Sequence, residues 1–239
     1  MIFFNPIMGI LGIYVLAAVL PAFFLLRYIY KMDTIEKEPG YLLWALLLSG
    51  VWAALASIVL ESLGSAVLNS TLSSDDPYYH ISFAFLVVAV VEEGTKLFFL
   101  KRRSWRDPNF NYMFDGMVYS VFVSLGFAAF ENIKYVFAYG LSVAMPRALL
   151  AVPGHLGFAV FMGIFYGRAK LCECRGDSFG KKINMALGYV FAVFLHGFYD
   201  SCCMIGTKEA TAVFVIFVIA MYFIVFHMVK KASRKDRPV

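Results

Sequence analysis

Seven apolar runs divide this chain almost from end to end. Each is close to the ~20 residues that carry a helix across a ~30 Å hydrocarbon core. They fall at residues 8–30, 41–63, 80–100, 114–138, 146–168, 183–204 and 210–229. In hydrocarbon, backbone N–H and C=O groups must bond within a helix or a closed barrel. Runs of this length joined by short links therefore predict an all-α bundle of seven transmembrane helices. Composition agrees: the chain is 61% hydrophobic and 15% charged, against about 45–50% and about 25% for soluble domains. Little polar sequence remains for a separate soluble domain, so one transmembrane domain over residues 1–239 is expected. The first run has no basic segment before it and is longer than a signal-peptide core. It is read as a retained span.

Basic residues alternate with the runs. Arg27, Lys31 and Lys37 flank the first link, Lys101, Arg102, Arg103 and Arg106 the third, and Arg168, Lys170, Arg175, Lys181 and Lys182 the fifth. Lys230, Lys231, Arg234, Lys235 and Arg237 form the tail. The positive-inside rule then places the N-terminus outside and the C-terminus in the cytoplasm. Basic loops beside anionic lipid account for the net charge of +5, and no nucleic-acid partner is needed. Cys172, Cys174, Cys202 and Cys203 lack the repeated spacing of a zinc cluster and are read as plain thiols.

Several runs hold residues that lipid should exclude. Glu92 and Glu93 lie in the third run, Glu131 in the fourth, His155 in the fifth, and His196 and Asp200 in the sixth. One charge at the centre of a membrane helix costs about 2.5–3.5 kcal/mol even on the lenient insertion scale, so charges on several spans point to one shared polar site. Glu92 and Lys96 are one helical turn apart and can pair. Glu93 points about 100° away from Glu92, so only one carboxylate is expected to reach Lys96. Glu131 either joins the site or pairs with Lys134. Pro153-Gly154 before His155 loosens the helix and makes room around it. His196 and Asp200 share a helix face, where the carboxylate can hold the imidazole N–H. Counted from the outer helix ends, these groups lie in the outer half, with Glu92-Glu93 deepest. Asp115 is read as the cap of the fourth helix, and Glu61 as interfacial.

Glu92-Glu93-Gly94-Thr95-Lys96, Phe127 to Glu131, His155 and His196 to Asp200, in this order on successive helices, resemble the PrsW family of intramembrane proteases. Asp115-Gly116 and Glu131-Asn132 fit the same pattern. The related type 2 CAAX prenyl proteases carry an arginine one position after Lys96 and a histidine where this chain has Glu131, so the resemblance is to the PrsW branch. It covers the third to sixth runs, within residues 80–204. It implies a bacterial plasma-membrane protease that makes the first cut in a single-span anti-sigma factor. It also carries Glu92, Glu93, Lys96, Glu131, His155, His196 and Asp200 over as catalytic candidates.

Two chemistries suit these residues. In one, Glu92 or Glu93 takes a proton from water while His155 and His196 hold the developing oxyanion. In the other, His155, His196 and a carboxylate such as Glu131 ligate zinc or another divalent metal. The absence of a fixed ligand spacing tilts the reading to the metal-free form. The chain has no His-Glu-x-x-His motif and no Gly-x-Ser-Gly nucleophile. Buried Glu, His and Asp groups also serve proton relays, so a proton-coupled transporter is the competing reading.

Overall fold

The structure, a computed structural model, describes residues 6–239, with side chains from residue 9 onward. The expected exterior N-terminal end, residues 1–5, lies outside the described residues. Seven long helices follow: α1 Pro6–Met32, α2 Gly40–Thr71, α3 79–104, α4 Asp115–Tyr139, α5 Leu141–Cys174, α6 Ser178–Ile205 and α7 Lys208–Arg234. Six are long and apolar enough to cross a membrane. The other, α3, holds Glu92, Glu93 and Lys96 in its middle.

α4 is the axis of the bundle. Every residue from Asp115 to Ala128 is buried, as befits a helix that is apolar on all sides. α1, α2, α3 and α5 pack around it, and α6 closes the far side against α5, α3 and α7. Small residues bring the backbones together. A Cβ on Gly126 would stand 2.3 Å from Leu47 O on α2, and one on Gly167 would stand 2.2 Å from Met113 O. Large apolar side chains such as Leu16, Trp44, Val59 and Phe223 face outward, where lipid replaces water.

Two helices depart from the regular period. Residues Phe83–Ala89 of α3 and Arg147–Ala151 of α5 form wider π turns. Such insertions shift the faces of everything after them and often lie beside functional sites. Here one precedes Glu92 and the other precedes His155.

The four basic segments gather at one end of the bundle. Asn111 donates to Glu36 at 3.0 Å, Trp105 Nε1 donates to Glu173 at 3.1 Å, and the Met113 N–H donates to Arg237 O at 3.0 Å. The expected cap of α4 is corrected. Asp115 Oδ2 turns back to accept the N–H groups of Asn111 and Tyr112. The Phe114 N–H at the helix start instead donates to Asp236 of the tail at 2.9 Å. A carboxylate on the first helical residue reaches the preceding loop more easily than its own helix.

Candidate active site

The polar residues of four helices join in one connected cluster. Lys96 Nζ donates to Glu93 Oε1 at 2.8 Å and to Glu92 Oε2 at 3.1 Å. It also lies 3.2 Å from His155 Nδ1 on α5. All four residues are buried, and Glu93 is 0% exposed. The expectation that one carboxylate alone reaches Lys96 is therefore corrected. Lys96 is four residues past Glu92 and three past Glu93, so its azimuth falls between theirs, about 40° from one and about 60° from the other. Its position over the Phe127 ring, 4.1 Å from the centroid, adds a cation–π contact.

His196 enters from α6. Its Nδ1 is 2.9 Å from Glu93 Oε1, and its Nε2 is 3.3 Å from Asp200 and 3.9 Å from Glu92 Oε2. Both ring nitrogens thus face carboxylates. Phe158 stacks flat on the ring, with centroids 4.7 Å apart. The His155 and His196 rings are 5.5 Å apart, edge to face. Asp200 therefore contacts His196 as expected, but the shorter contact is with Glu93.

Glu131 sits on the far side of His155. Its Oε2 is 3.0 Å from His155 Nε2 and 3.0 Å from an Arg147 guanidinium nitrogen. Its ion-pair partner is Arg147 of the next helix. Of the two readings of Glu131, the one that joins it to the site agrees with this geometry, and the alternative of pairing with Lys134 looked along one helix only. Arg147 also donates to Asn132 at 2.6 Å and lies over the Tyr135 ring at 3.9 Å. Asn132 in turn donates to the Ala18 carbonyl. Sequence reasoning missed Arg147 as a site residue. The available signal was a lone arginine at the start of the fifth run, away from the basic links.

A cavity of about 460 Å³ reaches this cluster. Glu61, Glu92, Glu131, Arg147, His155, His196 and Asp200 are among its lining residues. Glu61, read as interfacial, also borders the cavity. The walls include Lys134, Pro146, Met204 and Phe214, which lie toward the helix ends opposite the basic links. Larger surface grooves elsewhere hold none of these residues.

For a metal, Glu92, Glu93 and His155 each bring a ligand atom within 4.8 Å of the others, and Glu93 Oε2 is buried without a partner. The His155, His196 and Glu131 set does not converge in the same way. Glu131 takes Nε2 of His155, while Nδ1 of His196 turns to Glu93.

Carboxylates and imidazoles from several membrane helices lining one cavity, with a buried ammonium paired to them, define a polytopic membrane protein with an internal acid–base site. The chain belongs to the PrsW family: residues 38–228 match the family described as PrsW family intramembrane metalloprotease. It is 31% identical to Protease PrsW of Geobacillus kaustophilus over 224 residues, 93% of each chain. It is 29% identical to Protease PrsW of Shouchella clausii, covering 92% of this chain and 97% of the relative. It is 30% identical to Protease PrsW of Bacillus subtilis over 77% and 79%. No solved structure matches the chain. The protein is thus an intramembrane protease and a multi-pass protein of the bacterial plasma membrane.

Proposed function

We propose that this chain is the endopeptidase that makes the first cut in a single-span regulatory protein of the anti-sigma-factor kind, through glutamate and histidine. The observation that carries this reading is the Glu92–Glu93–Lys96–His155–His196 cluster, whose Glu92, His155 and His196 line a cavity that runs toward the helix ends opposite the basic links. Glu92 borders the cavity, whereas Glu93 holds Lys96 and His196 through the same oxygen. Glu92 is therefore the general base. It takes a proton from water as the water oxygen attacks the peptide carbonyl, then returns it to the leaving amine. His196, with Asp200 and Glu93 on its two nitrogens, offers an N–H to the developing oxyanion. Lys96 balances the paired carboxylates. Residues 80–204 carry this chemistry within one domain.

The residues present do not fit a dication as they stand. The Lys96 ammonium already lies within hydrogen-bond distance of Glu92, Glu93 and His155. A second cation held by the same three donors would be repelled by it. No step is therefore routed through a metal, although the family is described as metalloproteases.

A substrate helix hides its carbonyls in i to i−4 bonds and must present an extended segment before attack. The cavity walls place that segment at the face opposite the basic links, by charge the outer face. The test is cleavage of a single-span substrate in liposomes without any gradient, with mass spectrometry of the products. The expected result is a cut near the outer end of the substrate's span, abolished by Glu92→Gln, from protein that carries no stoichiometric metal. Gradient-driven flux without cleavage would mark a transporter. A stoichiometric metal whose removal stops cleavage would replace the metal-free mechanism.

A further inference from the structure

We propose that the cleft at the basic end of the bundle is a binding site for one anionic phospholipid. The cleft encloses about 550 Å³ between the start of α4, the later half of α5, the middle of α6 and the end of α7. Its floor is apolar: Met117, Phe161, Ile164, Phe191 and Met228 line it. Within it Phe165 and Phe191 stack with centroids 5.4 Å apart and ring planes 5° apart. Its rim is basic. Arg168, Lys231, Lys235 and Arg237 border the opening and are exposed. Among the described residues none of the four has an ion-pair partner. The one carboxylate there, Asp236, accepts the N–H groups of Phe114 and Arg237.

Charge and depth together identify the occupant. Arg168 and Phe161 lie seven residues apart on α5, which spans about 10 Å of helix. That is the separation between a phosphodiester and the upper methylenes of an acyl chain. An apolar cleft facing hydrocarbon fills with lipid chains, and a basic rim at the same cleft selects lipids with a net negative headgroup. Lys231 and Lys235 can lay their stems along the apolar wall with their ammonium groups at headgroup level. A free phosphate would satisfy the rim and leave the floor empty. A zwitterionic lipid would fill the floor and bring a second cation to the rim.

Native mass spectrometry of the full chain tests this. Dioleoylphosphatidylglycerol and dioleoylphosphatidylcholine are offered at equal concentration. One phosphatidylglycerol should be retained about tenfold over phosphatidylcholine. Arg168→Gln with Lys231→Gln and Lys235→Gln should remove most of that preference. Lys101→Gln with Arg102→Gln and Arg103→Gln, equally basic but outside the cleft, should keep it. Ala232→Phe leaves every charge in place and fills the cleft, and it should also lose the bound lipid. This variant keeps the proposal testable if the triple rim variant does not fold. Equal loss in the two charge variants would mean a diffuse basic surface. Displacement of the lipid by millimolar glycerol phosphate would mean a free-anion site. Retention unchanged in the Ala232→Phe chain would show that the cleft is not the site. Each of these three results overturns the proposal.

Discussion

The Lys96 ammonium stands 3.2 Å from Nδ1 of His155. An ammonium has donors and no acceptor, so that nitrogen must accept. Nε2 of His155 then carries the proton and donates to Glu131 at 3.0 Å. One contact thus sets the tautomer of a buried imidazole and links α3, α5 and α4 in a chain of hydrogen bonds. His155 is held at both nitrogens by close contacts, whereas Nε2 of His196 has only the longer ones, 3.3 Å to Asp200 and 3.9 Å to Glu92, which leaves His196 as the imidazole better placed to act on substrate.

Lys96→Met should abolish cleavage and also destabilise the bundle. It leaves two buried carboxylates without their counter-charge, a change that costs about 3–5 kcal/mol in comparable buried pairs. Pairing it with Glu93→Gln should restore most of the lost melting temperature but none of the activity. Thermal unfolding in detergent and a liposome cleavage assay measure the two effects separately. A single Lys96→Met chain that melts like the parent would contradict the ion cluster.

His196→Ala should be more damaging than Asp200→Asn. His196 faces the cavity and both glutamates, whereas Asp200 contacts the ring from one side. Loss of such a supporting carboxylate typically lowers activity about 10–100-fold. If Asp200→Asn is as inactive as His196→Ala, Asp200 acts on substrate directly.

Arg147→Lys should lower kcat about tenfold with little change in KM, because a single ammonium nitrogen lacks the planar fork that sets Nε on Asn132 and a terminal nitrogen on Glu131. Glu131→Gln added to Arg147→Ala should cost little more than either change alone, as expected for residues in one network. Additive losses from the two changes would separate Arg147 from the Glu131–His155 pair.

The basic end should lose stability as pH rises from about 4 to about 7. Burial lifts the Asp33 carboxyl from 3.8 to about 6, and Asp236 adds to that while Lys37 opposes it. Burial lifts Glu38 from 4.5 to about 7, and Asp33 adds to it. Between the unfolded and folded values the native state binds more protons, so stability falls with rising pH and levels off above the folded values. The melting temperature should therefore drop between about pH 4 and about pH 7, and Glu38→Gln should flatten that slope. A slope of the opposite sign would show that these groups are held charged.

Much of the architecture is legible from local pattern alone. The lengths of the apolar runs reproduce the helices to within a few residues over most of the chain. The largest differences are at the ends of α2 and α5, which continue to Thr71 and Cys174. Polar loop composition marks where helices must stop less sharply than apolar composition marks where they must exist. The ionisable residues inside the runs mark the site because hydrocarbon penalises each one wherever it points.

Partner choice was not legible. That Lys96 serves both glutamates follows from helix geometry, once its azimuth is placed between theirs. That Glu131 pairs with Arg147, that Asp236 caps α4, and that Glu93 rather than Asp200 makes the shortest contact to His196 all depend on contacts between helices. Those contacts are set by π turns at 83–89 and 147–151 and by backbone approach at Gly126 and Gly167.

The sequence by itself determined that this chain crosses the membrane as a helical bundle, which links share a face, and which residues are out of place in lipid. These follow from hydropathy and charge, which act residue by residue. Only the tertiary structure decided which carboxylate meets which cation, which nitrogen of His155 accepts, and where the cavity opens. Those outcomes depend on the rotation and crossing of whole helices, and a shift of one residue in a π turn changes the face that every later side chain presents.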